Sequence, residues 1–82
     1  MKMEVSINEY DGNFVINGKK FFYQIGETKI YEYKKGTKYS SFVNVIDENG
    51  FTVDTILIYR DHIEVFKNDV IKAYEEKQAN ED

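Results

Sequence analysis

Three glycines of this chain directly follow Asp or Asn, at Asp11-Gly12, Asn17-Gly18 and Asn49-Gly50. Such pairs tolerate the positive φ of tight hairpin turns, so they divide the chain into short extended runs. Residues 14–16 and 19–25 flank Asn17-Gly18, and residues 42–46 and 51–59 flank Asp47-Glu48-Asn49-Gly50. Each arrangement predicts a β-hairpin. In residues 2–7, Met3, Val5 and Ile7 alternate with polar side chains, the period-two signature of a strand with one wet face. Residues 28–33 predict a further strand with apolar or aromatic groups on both faces. Ile56-Leu57-Ile58 breaks the alternation, which predicts a strand covered on both sides.

Composition points the same way. Seven Tyr and six Phe suit pleated surfaces, whereas the strongest helix former, Ala, occurs only at Ala73 and Ala79. Proline is absent, which removes one device that blocks exposed sheet edges. An open edge invites a second copy of the chain or another protein.

From His62 onward two periods compete. Ile63, Phe66, Val70, Ala73 and Tyr74 form one helical stripe, with Asp61 and Glu64 as a capping box. In the reading preferred here, residues 62–66 form a strand and Asn68 caps a shorter helix over residues 69–78. A third arrangement pairs residues 70–74 as a strand. The expected fold is mainly β (α+β): an antiparallel meander of five to seven short strands, curled or closed into a small barrel, with a C-terminal helix. One domain spans residues 1–78, and residues 79–82 form a frayed tail.

The chain has 82 residues, one histidine and no cysteine. That rules out disulfides and thiolate metal sites and favours a reducing, cytoplasmic setting. Residues 1–10 alternate in polarity and predict no targeting leader, and no apolar run approaches the roughly 20 residues of a membrane span. Ser6, Ser40 and Ser41 lie in no activating motif, and His62 has no companion ligands, so no triad or zinc site is assembled from the sequence. The Asp47–Gly50 cluster has the wrong glycine spacing for a calcium loop and reads as a turn. The expectation is a non-enzymatic chain without a cofactor.

Charge is distributed unevenly. Lys19, Lys20, Lys29, Lys34, Lys35 and Lys38 stand against only Glu27 and Glu32, so a stretch of net +4 lies inside a chain of net −4. The stretch is also aromatic. Lys19, Lys20, Tyr31, Tyr33, Lys34, Lys35, Lys38 and Tyr39 are the candidate binding residues, although a core face plus a solvated lysine face is the plainer explanation of them. Three partners fit. The first is a protein, a second copy included; the bias toward Lys, Ile, Asn and Tyr fits a phage- or plasmid-type modulator of a host or defence protein. The second is single-stranded nucleic acid, with cations following phosphates and rings stacking on bases. The third is a small anionic ligand held by lysines. A membrane partner is not expected.

Overall fold

The computed structural model describes residues 10–80. The strand expected at residues 2–7 lies outside them. Four strands, β1 (Gly12–Ile16), β2 (Lys19–Tyr33), β3 (Gly36–Ile46) and β4 (Thr52–Arg60), form an antiparallel meander in the order β1-β2-β3-β4, followed by the helix α1 (Lys67–Asn80). The sheet is open rather than closed into a barrel.

The predicted turns form for the predicted reasons. Asn17 and Gly18 both have positive φ, 53° and 78°, the mirror-image turn whose twist matches the flanking strands. The Asp47 carboxylate accepts hydrogen bonds from the backbone N–H groups of Asn49 and Phe51, both at 2.9 Å, and Gly50 turns with φ 89°. That carboxylate therefore organises a turn.

Among the described residues there are four strands, longer than the short ones expected. Residues 19–25 and 28–33 are one strand interrupted by a bulge: Ile25 pairs with Val43 and Thr28 with Ser41, so Gly26 and Glu27 together oppose Phe42. The bulge resets the alternation without ending the strand. Residues 62–66 are not a strand either. They form an irregular connection held down by Arg60, whose guanidinium donates to the carbonyls of Ile58, Ile63 and Glu64 and to the Ser41 hydroxyl at 2.7–3.1 Å. Those carbonyls face a buried cation instead of a neighbouring strand.

The helix cap differs from the expected Asn68. Asp69 reaches back to the N–H of Phe66 at 3.1 Å, so Phe66 occupies the capping position and the acidic side chain closes the first turn. The helix also continues through Ala79 and Asn80, two residues expected in the tail. Its inner stripe is the buried Val70 with the half-buried Ala73, Tyr74 and Lys77; Ile63 and Phe66 stay outside it and remain exposed.

One face of the sheet packs on the helix. Phe14, Phe21, Tyr23, Val43, Val45, Ile56 and Ile58 form the core with Val70. Each such burial contributes about 1.5–3 kcal/mol. The Tyr74 ring lies 6.0 Å from Phe14 and 5.4 Å from Phe21, while Lys77 at the far end of the helix forms a 2.7 Å ion pair with Asp54 on β4. The helix thus reaches both outer strands across a curled sheet. The opposite face, called the open face below, has no helix over it among the described residues.

Candidate functional site: the open face and the β2–β3 arm

Directly opposed residues of an antiparallel pair point to the same side. On the helix side this places Thr28, Ile30, Glu32, Thr37, Tyr39 and Arg60, and on the open side Lys29, Tyr31, Tyr33, Lys38, Ser40 and Tyr59. β1 pairs only with Lys19–Tyr23, and β4 ends opposite Tyr39, so the β2–β3 hairpin projects beyond its neighbours as a two-stranded arm. Lys34 and Lys35 form its tip.

The eight predicted residues are therefore not one patch. Tyr31, Tyr33 and Lys38 lie on the open face of the arm, next to the Lys34–Lys35 tip. Lys19 and Lys20 lie at the other end of a 15-residue strand, roughly 45 Å away in extended geometry. Lys20 shares the open face and sits over the Phe22 ring at 5.3 Å; Lys19 points to the helix side. Tyr39 also points to the helix side, half-buried beside Arg60. Contiguity in sequence misleads here because adjacent strand residues face opposite ways.

The structure adds residues that the sequence segment omitted. Tyr59 from β4 joins the arm: its ring lies 6.3 Å from Tyr31, and its hydroxyl shares a 3.4 Å hydrogen bond with that of Tyr33. This bond is the main cause that holds the Tyr59 hydroxyl above the usual phenol range. Phe42 and Leu57, paired across β3 and β4, continue the patch. Leu57 was expected to be covered on both sides, yet it is 53% exposed; Phe42 is 54% and Tyr59 56% exposed. The signal for Tyr59 was its spacing of two from Leu57.

Charge is sorted by face. Among the register-paired strand residues, the open face carries Lys20, Lys29 and Lys38 and no carboxylate. Glu32 and Asp54 point to the helix side, and Glu27 sits in the bulge. At the arm tip, Tyr33, Lys34, Lys35, Gly36 and Lys38 line a shallow recess of about 370 Å³. A larger open cleft of about 440 Å³ places Lys19 and Tyr74 near the helix, but Glu75 lines it as well.

The residues available for reaction chemistry have structural partners. Ser41 is buried between the Thr28 hydroxyl at 2.7 Å and Arg60. His62 bonds the Glu64 carbonyl through Nδ1 at 3.0 Å and packs on Phe66. Asp11 accepts the N–H of Ile25 at 2.6 Å, Asp54 holds Lys77 and Gln78, and Asp69 caps the helix. Among the described residues, no cluster of three His or carboxylate groups is placed to hold a metal ion, and no helix is long and apolar enough to cross a membrane.

Comparison with family models, with curated proteins and with solved structures finds no match.

Proposed function

We propose that this chain is a non-enzymatic binding module whose open face grips an anionic partner. The observation that carries this reading is the sorting of charge: in a chain of net −4, the open face of the described strands presents lysines and exposed rings without a paired carboxylate. An attractive local field then coexists with net acidity, because a ligand responds to the face it meets within a Debye length. The test is retention on an anionic polymer such as heparin at low salt. The chain should be held, and Lys29→Glu combined with Lys38→Glu should release it. Flow-through of the unmodified chain would sink the reading.

A protein partner, a second copy included, is the second reading. It is favoured by the edge of β2, which has no strand beside it beyond Tyr23 among the described residues, the Asp11 carboxylate taking the N–H of Ile25. Strand addition to such an edge supplies main-chain hydrogen bonds to a partner. In this reading the chain acts as a small modulator of a host protein in a reducing compartment. Light scattering that shows a dimer, with amide protection along residues 24–33, would support it; a monomer with those amides exchanging freely would count against it.

A further inference from the structure

We propose that the open face of the arm is a track for single-stranded nucleic acid, running from Tyr59 past Tyr31 and Tyr33 to the Lys34–Lys35 tip. This rests on the anionic-partner reading and names the partner. Two features select it over an acidic protein.

The first is the kind of cation. Lysine is depleted at protein–protein interfaces, where arginine is enriched. The chain's one arginine, Arg60, is buried on the other side and bound to backbone carbonyls. On the open face of the arm the cations are lysines, Lys29 and Lys38, standing beside the exposed Tyr31 and Tyr59, as a phosphate-tracking surface requires.

The second is the form of the aromatic surface. Tyr31, Tyr33 and Tyr59 come from two different strands yet meet on one face, held by the 6.3 Å ring contact and the shared hydroxyl bond. The three residues are 39%, 55% and 56% exposed, so the array stays open to a ligand. Unpaired bases offer free π-faces to such an array; a duplex keeps its bases stacked inside and presents only phosphates. The recess at the tip supplies three lysines beside the Tyr33 ring for a phosphate at the end of the track. A track of this length suits about four nucleotides, the low end for single-strand platforms.

The experiment is fluorescence anisotropy with a labelled decathymidylate over a salt series from about 20 mM, in parallel with a duplex of equal length and with polyglutamate. The single strand should bind more tightly than the duplex. With four lysines engaged, the log–log salt slope should lie near −3, and Lys29→Gln with Lys38→Gln should reduce it by about 1.4. Tyr31→Ala and Tyr59→Ala should each weaken binding roughly 5- to 100-fold, while Tyr31→Phe restores it. Lys67→Gln with Lys72→Gln, on the helix, should change nothing. Circular dichroism confirms that each variant folds. Equal affinity for duplex, or equal loss from the helix variant, would overturn the track. Binding to polyglutamate without the oligonucleotide would overturn it while leaving the anionic-partner reading standing; binding to neither would remove both.

Discussion

Gly12 shows how narrowly one position can be specified. A Cβ added there would sit 2.5 Å from the Tyr23 hydroxyl oxygen, against a ring buried in the core. Gly12→Ala should destabilise the fold by about 1–3 kcal/mol, measured by urea denaturation, because the added methyl would crowd a ring packed among the core side chains. Tyr23→Phe combined with Gly12→Ala should recover little of that loss, since the ring atoms Cζ and Cε2 would still stand 2.6 and 2.7 Å from the added Cβ. Tyr23 also sets an alkaline limit. Burial first, and the Asp11 carboxylate second, raise its pKa above the ordinary 10.0. The unfolded chain therefore loses that proton before the folded chain does. Its contribution is intact below about pH 10 and declines as pH rises from there through the raised value. Stability measured against pH should fall over that window in the parent chain and fall less steeply in Tyr23→Phe; identical alkaline limbs would refute the assignment. The sequence marked Gly12 only as a turn residue. Its contact with Tyr23 depends on strand register, which local patterning does not encode.

The bulge is the element-scale counterpart of that register problem. Alternation through residues 19–25 would have carried Glu27, Lys29 and Tyr31 to the helix side; two residues opposite one send Lys29, Tyr31 and Tyr33 outward instead. Gly26 permits this, because a Cβ there would approach the Phe42 carbonyl oxygen at 3.1 Å. Deleting Glu27 should leave Gly26 alone opposite Phe42 and Thr28 still opposite Ser41, so the bulge is lost while the arm keeps its facing. The deletion variant should keep its helical circular dichroism and its oligonucleotide binding, with Tyr31 and Tyr33 still open to iodide quenching. Loss of binding by the folded variant would mean that the local twist of the bulge, and not facing alone, positions the arm. The hairpins at Asn17-Gly18 and Asp47–Gly50 were legible because turn chemistry is local. The C-terminal segment was not, because its course follows a tertiary contact: Arg60 binds the carbonyls of Ile63 and Glu64. Replacing Arg60 with Met should therefore cost about 2–4 kcal/mol in denaturant unfolding, since buried carbonyls lose their donors.

At the scale of the whole molecule, stability and binding surface are held apart. Every buried apolar side chain of the core cluster lies in residues 14–70 outside the arm, which contributes none to it between Thr28 and Ser40. The arm is held by its own ladder and by β4 only as far as Tyr39. A segment with few buried contacts and a bare edge opens at lower free energy than the core. Native-state hydrogen exchange should show the amides of residues 29–38 exchanging well before those of Val43, Val45 and Ile56. Denaturant should shift the core amides strongly and the arm amides weakly, as global and local openings differ in exposed area. Adding a bound partner should slow the arm selectively, because ligand binding stabilises only the states that retain the site. Uniform protection across sheet and arm, unchanged by an oligonucleotide at saturating concentration, would show that the arm is part of the cooperative core. A pre-ordered but locally weak arm explains how lysines can cluster there without the core's help: their mutual repulsion acts on a segment whose opening leaves the helix and the Phe14–Phe21–Tyr74 packing intact.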